Sequence, residues 1–272
     1  MTGLTGHSAS TSGGSGKAAR AARTVGDHPV VEAGARAGYA VNGVLHLLMA
    51  WLALQVAFGN RGAEADPSGA MAVVAATPWG RLMLVAVLVA FLLLAIWQFT
   101  ETVRADGAGR VAKCILKGVV YLTLAWGALS FVLGGGTSNA ANAKDATATL
   151  MDLPAGPFLV GAAGVAIAAI GGYQIWSGWT ERFLQDLVTP PRRLVRIAGR
   201  IGYIARGVAL VAVGFGVVTA AATQRPSRSR GLDGALHDLA KLPLGQALLV
   251  LVALGLVAYG VYSFSRARRA RT

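Results

Sequence analysis

Six stretches of the chain are apolar at nearly every position, and each is about as long as a bilayer core is thick: 39–58, 81–99, 114–133, 158–176, 201–222 and 244–264. An α-helix needs roughly 20 residues to cross about 30 Å of hydrocarbon, and in lipid a helix satisfies its own backbone. None of the six shows the polar stripe that a helix on the surface of a soluble protein carries. The pattern predicts an all-α polytopic membrane protein with six transmembrane helices.

The apolar runs also repeat one another. "NGVLHLLMAW" at 42–51 returns as "KGVVYLTLAW" at 117–126 and "RGVALVAVGF" at 206–215. Aligned on Gly43, Gly118 and Gly207, these phrases bring Trp51, Trp126 and Phe215 into register, and then Gln55, Ser130 and Thr219. The second helix of each pair opens with "PWG", "PAG" or "PLG"; nineteen residues after each proline stand Trp97, Tyr173 and Tyr262, followed by Gln98, Gln174 and Ser263. From glycine to proline the distance is 35, 36 and 36 residues, although the connections vary. The chain therefore reads as three tandem two-helix repeats. An even number of spans per unit makes them parallel, related by an axis along the membrane normal, and predicts a pseudo-threefold bundle.

The resulting division is a disordered tail at 1–30, repeats at 31–104 and 105–180, a basic interfacial linker at 181–198 containing "TPPRRLVRIAGR", a third repeat at 199–265, and a basic tail at 266–272. The first tail is Gly-, Ser- and Ala-rich and has too little apolar surface to offset its ordering entropy. Asp27 is placed to cap the first helix, with Pro29 in its first turn. Short segments precede each proline on the opposite side, with Asp66, Asp145 and Asp233 as expected caps of three short helices.

With the repeats on the page, the hairpin of "GYAVNGVLHLLMAW" and "PWGRLMLV…IWQF" resembles the bacterial membrane proteins catalogued as domain of unknown function 1206. The resemblance runs from Arg36 to Phe264 and implies a three-repeat, six-helix plasma-membrane protein without an established activity. The second unit departs from the pattern, with "KCILKG" where the others have "GYAVNG" and "GYIARG". Mitochondrial carriers also have three two-helix repeats, but the charged residues that follow their proline are missing here.

Only 14% of the residues are charged, yet the formal net charge is +13. Most of the Lys and Arg fall on the side that holds both termini, which the positive-inside rule places in the cytoplasm. Anionic lipid headgroups account for such a charge balance, and nucleic acid is not expected. One cysteine and four scattered histidines supply no metal-ligand spacing, so no metal or cofactor is expected. Carboxylates lie in connections or at helix ends, and no catalytic motif is present; an enzyme is the least supported class.

Polar residues within the spans remain. Asn42, Lys117 and Arg206 share one repeat position; His46 and Tyr121 follow four residues later on the same face, and Gln98 and Gln174 return to a similar depth. Together they form a candidate polar pocket on the side of the termini. Lys117 and Arg206, near the helix ends rather than the midplane, read more simply as cations snorkelling from the helix surface to headgroups. Gly43, Gly118 and Gly207 are expected to be helix-packing positions. Two function classes stay open: a structural, partner-binding or lipid-interacting membrane protein, and a small-solute or ion permease with its path along the repeat axis.

Overall fold

The computed structural model describes residues 29–60, 62–103, 107–136, 138–187 and 192–269. Asp27 and the rest of the first tail up to residue 28 lie outside them, and residues 29 and 30, read as tail, begin the first helix. The described chain holds six long helices: α1 (Pro29–Ala57), α3 (Gly80–Thr100), α4 (Ala108–Val132), α6 (Gly156–Trp179), α7 (Arg193–Thr223) and α9 (Gly245–Arg269). Between the members of each pair lie the short helices α2 (Pro67–Ala75), α5 (Asn139–Met151) and α8 (Gly231–Ala240). All six long helices are long and apolar enough to cross a membrane, and the architecture is that of an all-α polytopic membrane protein. Leu82, Leu92, Leu251, Leu254 and Phe215 are exposed on their outer faces, an apolar surface far too continuous for a protein in water.

The helices stand in a ring in chain order. α3 packs on α4, α6 on α7, and α9 returns to α1. These are the seams between repeats, and each is built on the same glycine. A side chain at Gly43 would meet the Gly260 carbonyl and the Phe264 ring; at Gly118 it would meet the Phe99 ring; at Gly207 it would meet the Gly171 carbonyl and Ile175. Phe264, Phe99 and Ile175 each stand 21 residues after their hairpin's proline, so the contact is one contact made three times. Close backbone approach gives dispersion contact where no hydrophobic force drives helices together.

Within the hairpins the symmetry breaks. α1 packs on α3 and α7 on α9, whereas among the described residues α4 and α6 do not form a packed pair. They are also the least covered helices: 17% of each apolar window is buried, against 50% for α1 and α9. The ring has one open side.

The short helices sit together at the end of the ring away from the termini, here called the distal end. Each hands over to its long helix through the same turn, in which Gly80, Gly156 and Gly245 donate to the carbonyls of Thr77, Leu153 and Leu242 at 2.9, 2.8 and 2.8 Å. Any side chain on these glycines would collide with the carbonyls of Val74, Leu150 and Leu239, which explains the repeated P-x-G. Polar links then close a circle. Asn139 N donates to Ser68 Oγ (3.0 Å), Thr147 Oγ1 to Ser229 Oγ (2.8 Å), and Ala65 N to Asp233 Oδ1 (3.0 Å).

Several expectations need correction. Asp66 does cap α2, accepting from the backbone of Ser68 and Gly69. Asp145 lies inside α5, which begins six residues earlier, and Asp233 lies in the first turn of α8 and not at its cap. The last third of the linker assigned to 181–198 belongs to α7, which runs unbroken from Arg193, so Arg193, Arg196 and Arg200 extend a long helix. Likewise α9 continues through Arg266 into the region read as a tail. Hydropathy marks where a helix meets lipid, and basic residues with good helix propensity carry the same helix beyond that boundary.

A basic cleft at the open side of the ring

Two adjoining cavities of about 580 and 530 Å³ occupy the terminal half of the ring, within the size range of small-ligand sites. They share Lys113, Lys117, Gln185 and Arg266 as walls, and together they touch all six long helices. The larger lies between α4 and α6, at the open side. Of the sequence candidates, Asn42, Lys117, Tyr121, Gln174 and Arg206 line the larger cavity, while Gln98 and Lys117 line the smaller. Lys117 and Arg206 thus reach the same space from α4 and α7.

His46 is different. It is buried, but it does not line either cavity. Its Nδ1 donates to the Asn42 carbonyl at 2.7 Å, and its ring lies 4.5 Å from that of Tyr259. It sits behind the cleft as packing for Tyr259, and Tyr259 in turn holds Arg206. Arg206 Nη1 donates to the Tyr259 hydroxyl at 2.6 Å, with the guanidinium 4.9 Å from the ring centre.

Residues that the sequence reading did not place here complete the walls. Arg266 is 6% exposed and lies 4.3 Å over the Tyr39 ring. It stands 23 residues after its hairpin's proline, and so do Glu101 and Ser177, which also line the cavities. That position is one helical turn beyond Gln98, Gln174 and Ser263, so extending the register by three residues along the same face would have found it. No register locates Phe183. It belongs to the short 3₁₀ segment Arg182–Asp186, which folds back across the terminal end of the ring. There Phe183 packs edge-on to Tyr262 (5.1 Å), whose hydroxyl donates to the Phe183 carbonyl at 3.1 Å.

The electrostatics follow from the lining. Lys113, Lys117, Arg182, Arg206 and Arg266 face the larger cavity; among the described lining residues Glu101 is the one carboxylate. The Oε1 atoms of Gln98 and Gln174 are buried with no hydrogen-bond partner, unusual for buried polar atoms. Gln98 is only 3% exposed. The cations of the cleft suit an anion with several acceptor oxygens, and the two Oε1 atoms suit a donor such as a hydroxyl beside it. No group of His, Cys, Asp and Glu among the described residues is arranged to hold a metal ion. The cleft does not continue to the distal end. Its deepest lining residues are Leu124 on α4 and Ala169 on α6, and beyond them Met49, Ala53, Ala125, Ala128, Leu249 and Met71 belong to one packed apolar cluster.

Comparison with known proteins agrees with the repeat structure. The chain is 30% identical over 254 residues to an uncharacterized protein YxxB of Bacillus subtilis strain 168, covering 88% of this chain and 90% of the relative. No solved structure matches. One family model matches three times, at 37–105, 112–181 and 201–270. These three matches fall on the three hairpins, and the chain belongs to the family described as domain of unknown function 1206.

Proposed function

We propose that this is an integral protein of the bacterial plasma membrane, both termini in the cytoplasm, that holds the headgroup of an anionic phospholipid in its basic cleft. The observation that carries the reading is the convergence of Lys117, Arg206 and Arg266 on one cavity at the open side of a membrane-spanning ring. Cations that converge on one cavity attract an anion to it. The inner leaflet supplies anionic headgroups at the depth where positive-inside topology would put this cleft. A protein partner in the membrane is compatible with this role. The reading as a small-solute or ion permease has weaker support, because an apolar cluster packs α1, α3, α4 and α9 together in the distal half of the ring.

The test is to change Lys117 and Arg206 together to Gln and quantify the lipids that co-purify in mild detergent. Anionic lipid per protein should fall at least tenfold while the protein stays monodisperse. Changing Arg192 and Arg193, which do not line the cleft, should have little effect. A double Gln variant that keeps its full anionic complement rules the headgroup site out.

A further inference from the structure

The open side of the ring has a local cause. Gly38 in α1 and Gly202 in α7 occupy the same repeat position, and both sit where the two helices of a hairpin touch. A Cβ on Gly38 would lie 2.9 Å from Leu94 Cβ and 3.0 Å from the Ala90 carbonyl; on Gly202 it would lie 2.6 Å from the backbone of Tyr259. The next residue completes a clasp. Tyr39 meets Trp97 edge-on at 6.2 Å, and Tyr203 meets Tyr262 edge-on at 5.6 Å.

The middle hairpin has neither half of this clasp. Lys113 stands at the glycine position and Cys114 at the tyrosine position, with Tyr173 at the position of Trp97 and Tyr262. A lysine stem does not fit where only a hydrogen does, so α4 and α6 stand apart. Lys113 instead reaches across the mouth of the gap, its Nζ donating to the Tyr173 hydroxyl at 2.7 Å and lying 4.7 Å from the ring centre. Both side chains are exposed. The walls between this bridge and the interior of the cleft are of two kinds: Leu116, Val120, Leu124, Ala169 and Ile170 are apolar, and Lys117 and Arg206 are cationic.

We infer that the middle hairpin is a lateral portal through which an anionic phospholipid moves from the bilayer into the cleft, with Lys113 and Tyr173 as its latch. The phosphate goes to Lys117 and Arg206, and an acyl chain lies along the apolar strip of α4 and α6. A soluble anion entering from the aqueous end would need neither a side opening nor an apolar strip; a lipid needs both. This rests on the headgroup reading above and adds the route and the class of ligand.

The experiment staples the latch. In a Cys114→Ser background, Lys113→Cys and Tyr173→Cys are joined by a short bifunctional maleimide, and the protein is reconstituted in nanodiscs of phosphatidylcholine with labelled phosphatidylglycerol. Uptake is compared within this one variant, before and after stapling, beside the native protein. Stapling the empty protein should slow phosphatidylglycerol uptake at least tenfold, and stapling the loaded protein should slow its release as much. Equal exchange in stapled and unstapled forms would overturn the portal. So would binding of inorganic phosphate in lipid-free detergent that matches lipid binding and ignores the staple, which would make the ligand a free anion. If the native protein loads lipid but the unstapled variant does not, Lys113 and Tyr173 belong to the headgroup site and are not a latch. A native protein that takes up no phosphatidylglycerol fails the headgroup reading itself, a result distinct from the other three.

Discussion

Arg206 and Tyr259 are joined twice, by a 2.6 Å hydrogen bond to the hydroxyl and by the guanidinium over the ring, across the α7–α9 contact. The hydroxyl fixes where the cation points, and the ring fixes how deep it sits. Tyr259→Phe removes only the first. The bond lies within the protein and aims the guanidinium into the cleft, so without it anionic lipid retention should drop severalfold. The melting temperature should fall by only a few degrees, because the ring still packs on His46. A large loss of thermal stability with lipid retention intact would mean that the hydroxyl serves packing alone.

The three seam glycines are equivalent in position but not in tolerance. At Gly207 an added methyl meets the Gly171 carbonyl and the Ile175 backbone; at Gly118 it meets the edge of the Phe99 ring. A ring can turn aside, and a carbonyl within a helix cannot. Gly207→Ala should therefore cost the upper part of the roughly 1–3 kcal/mol typical of overpacking, and Gly118→Ala the lower part. Val119→Leu, on an exposed position, should stay within about 0.5 kcal/mol. Heating in detergent and measuring the surviving monodisperse fraction gives the order, and equal losses at all three positions would refute it.

The distal cap should lose stability as pH rises. Burial pushes the Asp66 carboxyl above its ordinary value, and the neighbouring Asp233 and Glu64 push the same way, against the pull of its bonds from Ser68 and Gly69. The folded protein then holds that proton more tightly than the unfolded chain does. Its contribution is complete below the unfolded value of about 3.9 and fades as pH climbs through the raised folded value. Asp66→Asn keeps a capping acceptor and has no proton to lose. Subtracting its melting profile from the native one should leave a decline above about pH 4. Parallel profiles would assign the pH dependence to other groups.

Topology is the most direct check of orientation. Reporter fusions at Asn60, Gly135 and Gln224 should report outside, and fusions at Gly107 and Arg192 inside. The third distal connection is the demanding case, since Arg225, Arg228 and Arg230 oppose export of their own loop. An inside signal at Gln224 would mean that the last hairpin is not inserted as drawn.

The hairpins were legible in the sequence because lipid enforces apolarity on all faces and because the same phrase occurs three times. Most of the cleft was legible too: Asn42, Lys117 and Arg206 share a register, and that register does face the ring's interior. Three things were not. The order of helices around the ring depends on which faces meet, and the missing Gly-Tyr pair of α4 shows in the sequence without showing that its hairpin splays. Arg266 looked like tail charge because it follows the last apolar run, although its helix continues. His46 looked like a wall residue from its spacing, but its bond to the Asn42 carbonyl turns the ring toward Tyr259.

The glycine seams between repeats join unlike faces, the first helix of one hairpin to the second helix of the hairpin before it. Three separate, identical hairpins with such head-to-tail faces would close as a cyclic trimer, and exact symmetry would force every hairpin to be clasped or every one to be splayed. Three clasps would leave no way in from the side, and three splayed hairpins would leave the ring held by its seams alone. A single chain escapes that choice, because each copy can carry its own residues at the clasp. Two clasped hairpins hold the ring while the third stays unclasped. Asymmetry of this kind is unavailable to a homotrimer, and it gives a physical reason for fusing the three copies into one chain.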